Sequence, residues 1–217
     1  MKLLIIGATG RTGQELVKQA LARGDEVTVY VRNSQKLPAD SRLTVYQGEL
    51  WQEERLSQAM NGQDAVLLAL GNSMTNRNQP LFEQAIPSVM SSMKQAQVKR
   101  LVSLSSLGVG LTYSNTRYPY RLGVRTFLKG NHQDHWLGEK ELIDSGLDWT
   151  TVHPSPLFDG KKTARPSYQL AHTGYKVPGI ARTMRVDVAT VMLEVLEKPE
   201  TYQQAIVMFS QMEVGHE

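Results

Sequence analysis

Three glycines spaced three apart, in Gly7-Ala8-Thr9-Gly10-Arg11-Thr12-Gly13, follow a short apolar run and precede an amphipathic stretch. No other feature restricts the fold as tightly. Lys2–Ile6 reads as a buried strand, and over 12–22 the residues Leu16, Val17, Ala20 and Leu21 share one helical face. Passing from strand to helix in so few residues needs a tight turn, which Gly7 permits. Gly10 opens the backbone to close approach, and Gly13 lets helix and strand pack together. The unpaired amides near Arg11, Thr12 and Gly13 then form a positive pole that suits a pyrophosphate. A glycine-rich turn without a ligand is the bland alternative. Its place in the first strand–turn–helix, within a unit of about 30 residues, argues for the ligand.

The next strand selects between cofactors. Gly24 closes the helix, and Glu26–Val31 reads as the second strand, continuing Arg32-Asn33-Ser34-Gln35-Lys36. A fold that takes NAD places Asp or Glu here, on the ribose 2′-hydroxyl. This stretch has no acid. Arg32 can meet a 2′-phosphate, with Arg11, Asn33, Ser34 or Lys36 adding to it. One charge-assisted bond contributes about 1.5–3 kcal/mol, and so roughly ten- to a hundredfold in affinity. Arg32 can also be read as a solvated cation after a strand; the missing acid favours NADP(H).

Strands and helices alternate along the rest of the chain. Leu43–Gln47 reads as the third strand, Glu53–Met60 as a helix and 64–70 as the fourth strand, ending in Gly71-Asn72. A helix over 80–97, a strand over 100–105, a helix over 133–144 and a strand over 148–152 follow. A helix over 186–196 and a strand over 205–209 close the pattern. This alternation predicts an α/β architecture: one Rossmann-type domain over 1–217, a doubly wound parallel sheet with helices on both faces. Two segments break it, 107–131 and 158–185. Both leave from carboxyl ends of strands, where such sheets bind ligands, so both are candidate substrate walls.

Composition narrows the function classes. The net charge is +3, from 24 Lys and Arg against 21 Asp and Glu, and the basic residues are scattered. A nucleic-acid partner is therefore not expected. There is no cysteine, which excludes disulfides and thiolate chemistry and suits a reducing cytosol. No apolar run reaches the ~18 residues of a membrane span, and no signal peptide is visible. The expectation is a soluble, cytoplasmic monomer or small homo-oligomer with no membrane partner and no metal.

The loop and strand motifs carry a family resemblance. They include Val31-Arg32-Asn33-Ser34, Gly48-Glu49-Leu50, Gly62-Gln63-Asp64-Ala65-Val66 and Ser105-Ser106. Asp134-His135, Ser145-Gly146-Leu147-Asp148 and Val186-Asp187-Val188-Ala189 extend the set. On these the chain resembles the atypical short-chain dehydrogenase/reductases of the NAD(P)H-binding, NmrA-like group, especially the biliverdin-IXβ/flavin reductases. The resemblance implies that Glu49 and Leu50 border the adenine, and that Leu70 and Gly71 flank the adenosine and pyrophosphate. It places Ser105 and Ser106 beside the nicotinamide, and Pro154, Ser155 and Leu157 in the loop at the carboxamide. The first loop would supply Gly7, Thr9, Gly10, Arg11, Thr12 and Gly13.

The departures bear on the chemistry. Carbonyl-reducing members use a Tyr with a Lys four residues later, and no Tyr here has one. Counting back from Ser145-Gly146-Leu147 puts Asn131 at the Tyr position and His135 at the Lys position. His153 stands in place of an Arg, and Pro156 in place of the flavin reductases' His. A simple ketone becomes a localised alkoxide and needs a strong acid. A flavin, quinone or bilin spreads the incoming charge and can take its proton from water. The expected activity is therefore NADPH-dependent reduction of a conjugated, planar small molecule.

Ser106 and His135 are the candidate catalytic residues. Each also has a structural reading, Ser106 as a strand-end hydroxyl satisfying backbone and His135 as a helix-surface residue. His132 reads as solvated and His153 as core. In 107–131, Tyr113, Tyr118 and Tyr120 lie among Arg117, Arg121, Arg125 and Lys129. Tyr113, Tyr118 and Arg121 are the candidate substrate contacts, by stacking and cation–π attraction. The alternative has the tyrosines packed on the body and the cations in water. A second functional class also fits the lost Tyr–Lys pair: a non-catalytic NmrA-like protein that senses NADP(H).

Overall fold

The computed structural model describes residues 1–71, 80–163 and 166–211. Among these residues the strands are β1 (Lys2–Ile6), β2 (Glu26–Val31), β3 (Leu43–Gln47), β4 (Ala65–Leu68) and β5 (Arg100–Leu104). They continue with β6 (Asp148–Pro154), β7 (Leu157–Phe158), β8 (Ser167–Leu170), β9 (Thr183–Met184) and β10 (Gln204–Phe209). Eight form one sheet in the order β3-β2-β1-β4-β5-β6-β10-β8, and β7 pairs with β9 beside it. The helices joining them are α1 (Arg11–Arg23), α2 (Glu53–Met60), α3 (Phe82–Gln95), α4 (Tyr120–Arg125), α5 (Lys129–Ile143) and α6 (Arg185–Glu194).

Side chains alternate across the sheet, because successive strand residues face opposite sides. Leu3 and Ile5 of β1 join Leu16, Val17, Val188 and Met192 in a core under α1 and α6. Leu4 and Ile6 join Leu56, Met60, Ile86, Val89 and Leu142 in a second core under α2, α3 and α5. Both faces are thus covered, as near-continuous apolar strands require. The strand order reverses at β1, whose neighbours are β2 and β4. The crevice beyond the carboxyl ends of β1 and β4 is where ligands bind in such sheets.

The expected architecture is present, with three differences. The strands from β3 through β6 to β10 are parallel, but β8 runs antiparallel to β10 at the edge. Its four residues sit inside the segment read as irregular. The other irregular segment contains a 3₁₀ turn over Gly110–Asn115 and the short α4. Helix α5 also starts at Lys129 rather than at 133. Its opening residues, Gly130, Asn131 and His132, are weak helix formers, so tertiary packing rather than propensity sets that end. Asn72, read at the end of the fourth strand, lies outside the described residues.

Candidate functional site

The glycine loop leaves β1 and enters α1. Gly7 has φ 85°, and a Cβ there would lie 2.5 Å from the Ala69 carbonyl oxygen just beyond β4. A Cβ on Gly13 would lie 2.1 Å from the Gly7 carbonyl oxygen. Both positions are closed to any other residue. The Gly10 amide donates to Gly7 O at 3.0 Å, which closes the turn. A Cβ on Gly10 would meet only Gly7 O, at 3.3 Å, so its outer side is open. Helix α1 has no side-chain cap and no acid in its first turn. Its positive end is unopposed, so the cradle fits a pyrophosphate.

The residues expected around an adenosine gather on the same edge. Arg32, Asn33 and Lys36 are exposed just after β2. Asn33 Oδ1 accepts from the Gln35 amide at 3.0 Å, which shapes that turn. Glu49 and Leu50 are half-buried after β3, with the Glu49 carbonyl accepting from Tyr30 OH at 3.0 Å. Leu70 packs on the second core, and a Cβ at Gly71 would meet nothing within 4 Å among the described residues. Thr9 is half-buried in the loop and Thr12 is buried in the first turn of α1. Arg11 Nη1 lies 2.9 Å from Asp159 Oδ2 in an exposed ion pair, and Arg185 Nη1 meets the other carboxylate oxygen at 2.7 Å.

At the ends of β5 and β6 the site becomes a buried polar cluster. Ser105 is buried and its Oγ lies 3.4 Å from His135 Nδ1. Ser106 is half-buried, with Oγ 3.3 Å from His132 Nε2. His153 Nδ1 lies 2.9 Å from the Ser106 carbonyl oxygen, which can only accept, so Nδ1 carries the proton. His153 Nε2 then accepts from the Thr151 hydroxyl at 2.9 Å. Pro154 accepts from the Leu107 amide at 2.9 Å. Ser155 is buried, its hydroxyl paired with Thr183 Oγ1 at 2.8 Å, and Leu157 pairs in register with Thr183 across β7 and β9.

Burial decides the charge states here. It pushes His132 down to about 4, His153 to about 4 and His135 to about 3, the last helped by repulsion from His132 and His153. Burial pushes Glu139 of α5 up to about 8, opposed only by Ser105. Glu139 Oε2 stands 3.7 Å from His153 Nε2. Between those values the contact joins two neutral groups and is not an ion pair.

Asp134 explains how α5 is seated. Its carboxylate accepts from the amides of Leu81 and Phe82, each at 3.1 Å, and of Glu83 at 3.2 Å, capping α3 from another helix. The His135 ring then stacks on Phe82 with centroids 3.6 Å apart. The surface reading of His135 is thereby replaced by a buried one. The solvated reading of His132 is also corrected, because only 6% of it is exposed. His153, read as core, is fully buried.

Sequence reasoning missed Glu139. The signal was available: His132, His135, Glu139 and Leu142 fall at spacings of 3, 4 and 3, one inward helical stripe. Reading back from Leu142 places all three polar residues inside. Tyr120 stands out in the sequence only as one of the loop aromatics. In the fold its OH donates to Leu107 O at 2.9 Å and it interacts with Ser106.

The substrate candidates are split. Tyr113 is half-buried, accepts from Arg125 Nε at 2.7 Å, and lies under the Arg121 guanidinium, 5.4 Å from its ring centroid. Arg121 is tied down further by Thr116 Oγ1 at 2.9 Å. Tyr118 is 79% exposed. A surface cleft of about 650 Å³ lined by Tyr46, Trp51 and residues of α2 contains none of these side chains.

Residues 7–199 match the family described as NAD(P)H-binding. The chain belongs to that family. The uncharacterised protein YwnB of Bacillus subtilis is 28% identical over 222 residues, covering 98% of this chain and all of its own length. The chain spans about half the length of other curated relatives it matches, 47% and 54%. A short-chain dehydrogenase/reductase from Veillonella parvula, solved in complex with NADP, superposes with a TM-score of 0.82. It is 16% identical, over 96% of this chain and 94% of that one. ChuY from Escherichia coli O157:H7, described as an anaerobillin reductase, superposes with a TM-score of 0.79. It is 20% identical, over 96% of this chain and 97% of its own. These likenesses establish the fold. The chain is thus an NAD(P)H-binding protein of an oxidoreductase-type family with a Rossmann-like fold. No helix among the described residues is long and apolar enough to cross a membrane.

Proposed function

We propose that this protein is an NADPH-dependent reductase of a conjugated, planar acceptor of the flavin, quinone or bilin type. One observation carries the reading: where a ketone reductase needs a charged partner for its acid, this chain buries three imidazoles, His132, His135 and His153, a setting that disfavours their charged form. Among the described residues no cation there lowers the pKa of a hydroxyl, so a localised alkoxide would go unserved. An acceptor that spreads its incoming charge over a ring system suits this setting. The anaerobillin reductase described for ChuY, on the same fold, agrees with a bilin-type acceptor.

The reduced nicotinamide supplies the hydride when bound. The chain's own residues bind and orient. The amides opening α1 between Gly10 and Gly13 grip the pyrophosphate, and Thr9 and Thr12 line that loop. Arg32 takes the 2′-phosphate with Asn33 and Lys36, and Arg11, paired with Asp159 at the surface, stands at the opening of α1. Glu49, Leu50, Leu70 and Gly71 border the adenosine. Ser105, Pro154 and Leu157 hold the nicotinamide side, and Ser155 contributes backbone only, its hydroxyl being committed to Thr183. Ser106 and His135 are the catalytic-side contacts. The exposed Tyr118 ring, with Tyr113 and Arg121, walls the acceptor.

Stopped-flow oxidation of NADPH with FMN, riboflavin, quinones and biliverdin tests this. Turnover with at least one, and none with simple ketones, is expected. Tight cofactor binding without turnover of any acceptor would instead mark a sensor and end the reductase reading.

A further inference from the structure

The basic residues look scattered along the sequence, but the fold gathers many of them. Residues 107–131 and 158–185, the two segments that break the strand–helix alternation, hold ten Lys and Arg against one acid, Asp159. The remaining residues hold 14 against 20, so a net +9 on the two segments stands beside −6 elsewhere. The two segments pack on each other. The Val177 amide donates to Asn115 O at 2.9 Å, and Asn115 Nδ2 donates to the carbonyls of Ala171 and Tyr175 at 2.9 and 2.8 Å. Lys176 Nζ donates to Ser114 O. A Cβ on Gly179 would lie 2.0 Å from Tyr118 O, so the two backbones touch there.

What this pair of segments leaves outside is both basic and apolar. Phe127 is 70% exposed and Ile180 82%, with Leu122 and Tyr118 also more than half exposed. The Phe127 ring folds back on α4, 2.9 Å from where a Gly123 Cβ would be, and Ile180 follows the glycine that touches Tyr118. Arg117, Arg125, Lys129, Lys176 and Arg182 are exposed in the same segments. None of the five forms an ion pair among the described residues. Large side chains of this kind gathered at a surface mark a contact with something else.

Cofactor binding leaves this charge unused, because Arg11, Arg32 and Lys36 lie outside both segments. A nucleic acid would use the cations and stack on Phe127, but the aliphatic Leu122 and Ile180 offer it nothing. Unpaired cations beside exposed Leu, Ile and Phe are the mixture that rests at a lipid headgroup boundary. We propose that this face docks the protein on the surface of an anionic lipid bilayer. Leu122, Phe127 and Ile180 enter the headgroup layer, and the five cations meet lipid phosphates. The expectation of no membrane partner rested on the lack of a span, and a surface contact needs none. The docking stands whether the protein reduces an acceptor or only senses its cofactor.

Co-sedimentation with vesicles tests this, using phosphatidylcholine alone and phosphatidylcholine in equal parts with phosphatidylglycerol. Binding is expected on the mixed vesicles and not on phosphatidylcholine alone, and it should weaken as added salt screens the charges. Arg117→Ser and Lys129→Ser are each expected to lower the partition coefficient about fivefold. Phe127→Ser is expected to lower it about tenfold, as for an apolar side chain left in water, and Ile180→Ser to act in the same sense. All four side chains are exposed, so NADPH affinity and melting temperature should match the wild type. No binding to the mixed vesicles, or equal binding to neutral ones, overturns the proposal. Binding that ignores both Phe127→Ser and Ile180→Ser overturns it as well, because charge alone then holds the protein. A DNA or RNA duplex that strips the protein from the vesicles, and binds Phe127→Ser as well as wild type, assigns the face to polyanions and overturns it too.

Discussion

Arg32 follows β2 at the position where the cofactor's adenosine end must be told apart. Its side chain is exposed, as is that of Lys36, and Arg11, a third candidate cation, is paired with Asp159. On the proposed reading the discrimination falls first on Arg32. Arg32→Ala is expected to raise the NADPH dissociation constant about ten- to a hundredfold, the loss of one charge-assisted bond, while leaving NADH nearly unchanged. Calorimetric titration with both nucleotides checks it, and equal losses for the two would return Arg32 to a solvated cation. Gly13→Ala is a sharper case. Its Cβ would fall 2.1 Å from Gly7 O, so α1 must move off the strand and cofactor binding is expected to vanish. Gly13 was readable because it answers a local backbone demand. His132 and Glu139 were not, since what makes them a site is Ser106, Ser105 and His153, delivered by other strands.

Helices α3 and α5 pack through apolar side chains and the Phe82–His135 stack, and one carboxylate ties the start of α3 to α5. Asp134 accepts from three amides at the start of α3, where a side-chain cap from the helix's own sequence is absent. Asp134→Ala is expected to cost about 0.5–2 kcal/mol, as for lost N-caps, and to lower the melting temperature by roughly 2–4 °C per kcal/mol. Because His135 stacks on Phe82 at this junction, NADPH turnover should fall with it. Thermal melts and a turnover assay of the variant settle both points; an unshifted melt would mean other contacts seat α5. The element pattern explains what was legible. Helix α1 and strands β2 and β3 came through because their apolar residues repeat with the period of the element, β1 came through as a short continuous apolar run, and glycines mark the joints. The start of α5 did not, for its inward residues are His132, Asp134 and His135, which carry no hydrophobic period. The edge strand β8 is four partly exposed residues paired to β10 across a long separation, and no local pattern announces such a pairing.

At the scale of the whole molecule the buried cluster couples folding to pH from two sides. His132, His135 and His153 ionise at 6.5 when exposed and near 4, 3 and 4 in the fold. Between those values the unfolded chain binds more protons, so stability rises with pH and is lost as pH falls below about 6.5. Glu139 works in the opposite sense. It ionises at 4.5 when exposed and at about 8 when folded, so the folded chain binds more protons in that window and stability declines as pH rises through it. Three imidazoles outweigh one carboxyl below 6.5, and above it only Glu139 still acts among this cluster. A melting-temperature maximum near pH 6.5 follows, with a steep acid side and a shallower alkaline side. Glu139→Gln removes the titrating carboxyl while keeping a neutral polar group of the same size. The alkaline decline should flatten in that variant and the acid side should persist. Melting curves of both proteins from about pH 4 to 9 decide the matter. An alkaline slope that survives the substitution would place its source outside the cluster and leave Glu139 ionised in the fold.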